Sequence, residues 1–220
     1  MPFFNVHSHR KAMEPGEWVC RNAFHCMEPE NIQSLPYPVS VGLHPWHIGP
    51  YVREDLEKVE KLSRLKNAIA IGETGLDRLA QVSFTKQMEA FDFHFSLAQK
   101  IKKPIIIHCV KAYYDFIPFA KKSQVPILFH GFNGSEDVLK KLSQWPWVYF
   151  SLGRSLFFPK GKSLWSQIPE NQKLLETDND TVSISALYQW VANLENCSLD
   201  SFSEKMKKNT FSFFGFEEGR

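Results

Sequence analysis

Ala68-Ile69-Ala70-Ile71-Gly72-Glu73 is an apolar run that ends on a carboxylate. A short apolar stretch stopped by glycine reads as a buried strand. Such a strand gains nothing from an acid at its end, since acids are rarely buried unpaired. The same grammar recurs on both sides of this run. Phe3-Phe4-Asn5-Val6 leads into His7 and His9, and Ile105-Ile106-Ile107 leads into His108. Ile127-Leu128-Phe129 leads into His130, and Leu174-Leu175-Glu176-Thr177 leads into Asp178. Parallel barrels build active sites from residues at the C-terminal ends of several strands. The repetition therefore points to a barrel whose mouth is lined with metal-ligand chemistry, and to a metal-dependent hydrolase.

Strand patterns fall at residues 3–7, 17–23, 37–44, 67–73, 104–108, 125–130, 147–151 and 173–176. Helical periodicity lies between most of them, at 53–65, 84–101, 112–121, 135–142, 183–194 and 200–213. In residues 84–101, Phe84, Met88, Phe91, Phe95 and Ala98 share one face. Ser and Asp at three helix starts suit caps, and Gly215 suits a helix stop. Strand–helix alternation allows a doubly wound sheet or a (β/α)8 barrel. An open sheet gathers its ligands at one switch point. Here the first, fourth, fifth, sixth and eighth strands all end in ligand-type residues, and only a closed ring brings those ends together. The expected fold is a compact α/β (β/α)8 TIM-type barrel, one domain over residues 1–220. Residues 11–31 leave little room after the second strand, so its helix should be missing or reduced.

Composition narrows the function. Hydrophobic residues make up 43% and charged residues 23%, an ordinary balance for a globular domain, and 19 Phe forecast an aromatic-rich core. A net charge of +2 argues against an extended grip on duplex nucleic acid, which needs a basic excess. It leaves room for a nuclease, because bound dications supply positive field. Cys20, Cys26, Cys109 and Cys197 form no C-x-x-C pair, which favours a reduced, cytoplasmic chain over a thiolate metal site. No stretch has the length of a membrane span or a signal h-region, and no feature calls for an obligate protein partner.

Each ligand-type residue also has a bland reading. His7 and His9 sit two apart, so in a strand both imidazoles face one side; by itself that spacing is weak. Glu73 could be a capping acid, and Asp178 a turn residue. His108 and His130 could be hydrogen-bonded core histidines. Taken together at matching strand ends, the set is hard to assign to chance. Imidazole and carboxylate ligands accept zinc, manganese, iron or cobalt. His44 ends the third strand and could contact a substrate oxygen, or serve only as a structural histidine beside Pro45. Arg154, after the seventh strand, is a spare phosphate anchor or a solvated surface residue. Trp46, Phe132 and Phe157 could stack on a base or pack in the core. His25, His47 and His94 carry less weight; His94 should be packing or exposed, and His47 could line the mouth.

The chain resembles the TatD-type DNase family, whose barrel is related to the amidohydrolases. The resemblance rests on His7-Ser8-His9, Gly42-Leu43-His44-Pro45-Trp46, Ile71-Gly72-Glu73-Thr74-Gly75-Leu76-Asp77, Ile106-Ile107-His108, His130-Gly131-Phe132-Asn133-Gly134 and Leu175-Glu176-Thr177-Asp178. It implies that His7, His9, Glu73 and Asp178 hold one divalent ion and that Glu73, His108 and His130 hold a second, the ions being manganese, zinc, magnesium, iron or cobalt. Asp178 and Glu73 would act in catalysis on a water activated by the two ions, with His44, Lys111 and Arg154 contacting substrate. The activity implied is that of a phosphodiesterase, a deoxyribonuclease acting as a 3'-5' exonuclease on DNA ends or short single strands, weakly bound. An amidohydrolase-like esterase, lactonase or amide hydrolase is the alternative. The family pattern is broken at Asn5, where Asp is usual, and at Val110, where Arg is usual with Lys111 following. It is broken again at Asp178-Asn179-Asp180, which lacks a frequent Pro.

Overall fold

Eight parallel strands follow one another around a single sheet in chain order: β1 Phe3–Ser8, β2 Glu17–Asn22, β3 Val39–Val41, β4 Ala68–Asp77, β5 Ile105–Val110, β6 Ile127–Phe129, β7 Val148–Leu152 and β8 Lys173–Leu175. A parallel bridge from Ser8 to Asp178 brings the eighth strand's end back to the first. This is the computed structural model of the chain, and it describes residues 2–23 and 29–217; His25 and Cys26 lie outside the described residues. The helices are α1 Pro29–Gln33, α2 Val52–Leu62, α3 Phe84–Ile101, α4 Ile117–Lys122, α5 Glu136–Leu142, α6 Pro159–Gln167, α7 Ile184–Leu194 and α8 Leu199–Phe214. The barrel expected from strand–helix alternation is present, and α1, after β2, is reduced to 5 residues. None of these helices is long and apolar enough to cross a membrane.

Parallel strands are covered on both faces, which is why they read as unbroken apolar runs. Val6, Cys20, Ala70, Ile106, Leu128, Tyr149 and Leu174 form one buried cluster drawn from seven strands, closed by Phe213 and Phe214 of α8. Tyr149 also reaches Ser212 Oγ at 2.8 Å, so α8 floors the barrel. Outside the ring, Phe91 and Phe95 of α3 meet Phe119 of α4 edge-on at 4.8 and 5.1 Å, a favoured aromatic geometry. Ser135, Ser183 and Ser198 accept from Val138, Ala186 and Ser201 N–H and cap α5, α7 and α8. Gly215 stops α8 in the left-handed region.

Three elements differ from the sequence reading. β3 is confined to Val39–Val41; beyond it, the Leu43 N–H leaves the sheet and donates to His94 Nε2 at 2.9 Å. β4 runs past Glu73 to Asp77, with its register on β5 slipping between Ile71 and Thr74. Helix α6 was not expected, because Gly161 and two serines give it weak propensity. It forms because Leu164 and Trp165 are buried and Gly161 lies against Ser155, where a Cβ would come within 2.1 Å of the carbonyl oxygen.

His94 is neither simple packing nor exposed. It is fully buried, donating from Nδ1 to Ala90 O at 2.6 Å while accepting from Leu43. Burial pushes its pKa down to about 4 against the Ala90 bond, so the ring is neutral near pH 7. It therefore fixes the backbone immediately before His44.

Candidate metal centre

The six ligand-type side chains arrive from five strand ends. His7 and His9 project from β1, Glu73 from β4 at the register slip, and His108 from β5. His130 and Asp178 follow β6 and β8. A register slip adds a residue on one strand and re-aims a side chain, which turns Glu73 into the barrel mouth. There, Glu73 is 2% exposed and its two oxygens face different partners. Oε2 lies 3.4 Å from His7 Nε2 and 3.1 Å from His9 Nε2. Oε1 lies 2.9 Å from His108 Nδ1, 2.8 Å from His130 Nε2 and 3.2 Å from His44 Nε2. Asp178 Oδ1 completes the first group, 3.7 Å from His7 Nε2 and 3.4 Å from His9 Nε2.

This arrangement fits divalent cations on one decisive observation. His7 is completely buried, yet neither ring nitrogen has a hydrogen-bond partner. Buried polar groups are nearly always paired, so a buried imidazole aimed at two carboxylates calls for an electrophile. Donor atoms from His7, His9 and Asp178, from His7, Glu73 and His130, and from His44, Glu73 and His108 each lie within 4.8 Å of one another. The third group is less suited to a cation at His44. Trp46 N–H donates to His44 Nδ1 at 3.1 Å, so the neutral ring carries its proton on Nε2, facing Glu73. His44 is thereby a donor.

Charges in the centre are mutually set. Burial alone would raise the Glu73 carboxyl, but His130 first, then His108 and His44, hold it well below the usual range. Burial opposes charge on His130 too, but Glu73 and Glu176 on either side raise its pKa well above that of a free imidazole. His44 moves the other way, lowered by burial despite Glu73.

Two carboxylates missed by the sequence reading orient the imidazoles. Asp77 Oδ2 lies 3.3 Å from His108 Nε2 and accepts from Trp46 Nε1 at 2.6 Å. Glu176 Oε1 lies 3.4 Å from His130 Nδ1, and its other oxygen accepts from Ser151 Oγ. An outer carboxylate fixes a ligand histidine's tautomer and raises its basicity. Asp77→Asn and Glu176→Gln are each expected to weaken cation affinity by about 10–100-fold, measured by calorimetric titration of the chelated protein. Unchanged affinity would remove both from this role. Both had a signal in the chain: Asp77 lies four residues from Glu73 on the same strand face, and Glu176 follows an apolar run as the ligands do. Asn22 Nδ2, donating to Glu73 Oε2 at 3.1 Å, had none.

Asn5 has a physical account. Its amide donates to Glu17 Oε1 at 2.7 Å and Thr177 Oγ1 at 2.8 Å and accepts from Thr177 N at 3.0 Å. An Asp there would set a carboxylate against Glu17 and lose both donations. The expected substrate contacts are placed unevenly. His44 and His47 line the cavity with Asn179. Arg154 lines an adjoining groove beside Asp178 and pairs with Asp180 at 3.5 Å. Lys111 is exposed beyond β5 and is not among the residues lining either.

Residues 30–215 match the family described as TatD-related DNase. The chain belongs to that family. An uncharacterised metal-dependent hydrolase of Bacillus subtilis (strain 168) is 32% identical to this TatD-family chain over 146 residues, covering 63% of it and 57% of the Bacillus protein. The match thus spans less than two thirds of that relative's length. A 3'-5' ssDNA/RNA exonuclease TatD of Pantoea ananatis (strain LMG 20103) is 25% identical over 201 residues, covering 80% of this chain and 77% of the relative. The crystal structure of a TatD homologue from Escherichia coli K12 shares the fold, with a TM-score of 0.82 at 20% identity over 97% of this chain and 98% of the other. His7 and His9 precede the residues matched to the TatD family, and it is the fold that carries them to Glu73.

Proposed function

We propose that this chain is a metal-dependent phosphodiesterase that removes nucleotides from the ends of single-stranded DNA or RNA. The observation that carries the reading is the division of Glu73, with one oxygen facing His7 and His9 and the other facing His108 and His130. On this reading His7, His9, Glu73 and Asp178 hold one divalent cation, and Glu73, His108 and His130 hold a second; manganese, zinc, magnesium, iron and cobalt all suit such donors. When bound, such a pair of cations would acidify a water and neutralise charge on the attacking and leaving oxygens.

The chain's own residues do the rest. Asp178 has a side chain 43% exposed, open to solvent and substrate, and its carboxylate takes the proton of the attacking water. His44 Nε2–H donates to a phosphodiester oxygen. Arg154, in the adjoining groove, meets the next phosphate once it leaves Asp180. The exonuclease polarity, 3'-5', follows the name carried by the Pantoea relative. A cytoplasmic setting belongs to the same reading and is supported by free Cys20, Cys109 and Cys197. The esterase or lactonase alternative draws no support from the relatives named as exonucleases.

With manganese, the full chain is expected to release mononucleotides from single-stranded oligothymidylate, and an excess of chelator should stop release. Binding should be weak and release should fall only shallowly with salt, because the net charge is only +2 and few cations face the substrate's phosphates. Faster hydrolysis of a lactone or simple ester than of any phosphodiester would overturn the proposal.

A further inference from the structure

The sequence leaves Trp46, Phe132 and Phe157 equally able to meet a base, and the structure separates them. Phe132 is fully buried, with Phe150 edge-on at 4.8 Å. Phe157 packs edge-on against Trp190 at 5.4 Å. Trp46 is 61% exposed even though it lines the metal cavity. Among the described residues lining that cavity it is the one apolar side chain; the rest are histidines, asparagines, Glu73 and Asp178.

The exposed ring is held in place. Its Nε1–H donates to Asp77 Oδ2 at 2.6 Å, and its backbone N–H donates to His44 Nδ1 at 3.1 Å. The indole stands edge-on to His44 at 4.9 Å and to His108 at 5.8 Å between centroids. A side chain already fixed at its polar edge loses little further rotamer freedom when a partner stacks on it. An open indole adds nothing to a cation's ligand set, but it does offer a flat π-face beside the phosphodiester's expected position.

We propose that Trp46 is a base-stacking platform, taking the planar base of a nucleotide flanking the scissile phosphodiester. The proposal rests on the phosphodiesterase reading and adds to it a base-binding subsite. Stacking tolerates every base, since each has a π-face. The subsite therefore requires that a base be present and does not select which one. A merely structural Trp46, shielding the Asp77–His108 contact from water, would instead govern cation affinity.

The test uses the full chain with manganese and phosphorothioate oligothymidylates that are either complete or abasic at the terminal or the next residue. Binding is followed by tryptophan fluorescence, and turnover by nucleotide release from the normally linked forms. The complete oligonucleotide should quench the wild-type signal, and one of the abasic forms should bind about 5- to 100-fold more weakly, as loss of one base–aromatic stack implies. Trp46→Phe should abolish the quench while keeping most of the affinity. Trp46→Leu should abolish the quench and bind complete and abasic forms alike, with raised KM, little change in kcat and unchanged manganese affinity. Equal wild-type binding of all three oligonucleotides, or a quench that persists in Trp46→Phe, would overturn the platform. Hydrolysis without base dependence would sink this inference and leave the phosphodiesterase reading standing. Base-dependent binding without hydrolysis of any phosphodiester would sink the phosphodiesterase reading, leaving Trp46 a base-stacking residue with no scissile bond beside it.

Discussion

Glu73→Gln protein is expected to lose more than about a thousandfold in turnover, well beyond the roughly 10–100-fold typical of losing an outer partner of a metal ligand. Among the described residues, Glu73 is the one side chain within 3.4 Å of His7, His9, His44, His108 and His130 alike. An amide keeps the size but supplies one neutral oxygen where two anionic ones stood, so the His108–His130 group keeps no charged ligand and the His7–His9 group keeps only Asp178. Metal analysis after dialysis against manganese should show both positions depleted. The barrel should remain folded, because Gln occupies the same volume and the wall of strands around it is unchanged; circular dichroism and the urea midpoint of chelated protein check this. Full manganese content with wild-type turnover would show that the centre is not organised on Glu73.

Gly75→Ala is expected to cost about 3–5 kcal/mol, combining an overpacked contact with a strained backbone. A Cβ at Gly75 would lie 2.0 Å from the His108 carbonyl oxygen and 2.9 Å from its carbon, on a residue whose φ is +152°. Backbone cannot rotate away as a flexible side chain would, so β4 and β5 must separate where Gly75 pairs with His108. Marginal stabilities of about 5–15 kcal/mol make such a loss large. Urea unfolding of the chelated protein measures it apart from any loss of cations. A midpoint within error of wild type would mean that the strands pack less closely than they do here.

The barrel could be read from the chain because its signals are local and repeated: three-residue apolar runs in β5 and β6, and a five-residue aromatic and aliphatic face in α3. Ligand residues showed because they violate the apolar pattern at its ends. What escaped depends on contacts distant in sequence. The three-residue length of β3 depends on His94, 51 positions away, drawing off the Leu43 N–H. Helix α6 contradicts its own propensity and is held by burial of Trp165. The roles of Asp77 and Glu176 appear only when β4, β5, β6 and β8 lie side by side, because each acts through an imidazole of another strand. Trp46 gave no sequence cue that set it apart from Phe132 and Phe157; its exposure within the cavity separates it from those two.

The seam between the first and last strands has a kinetic consequence. Asp178 N donates to His7 O at 3.1 Å, His9 N donates to Asp178 O at 3.1 Å, and Ser8 Oγ donates to the same carbonyl across 170 positions of chain. The ring is therefore sealed through residues of the candidate centre itself. Contacts of such long sequence separation form late, after their loop-closure entropy has been met. A nascent chain that has not yet supplied Asp178 holds five of the six proposed ligands and an open barrel. Maturation of the centre and completion of the fold are thus one event, and an ion that binds only the sealed ring draws the folding equilibrium toward it.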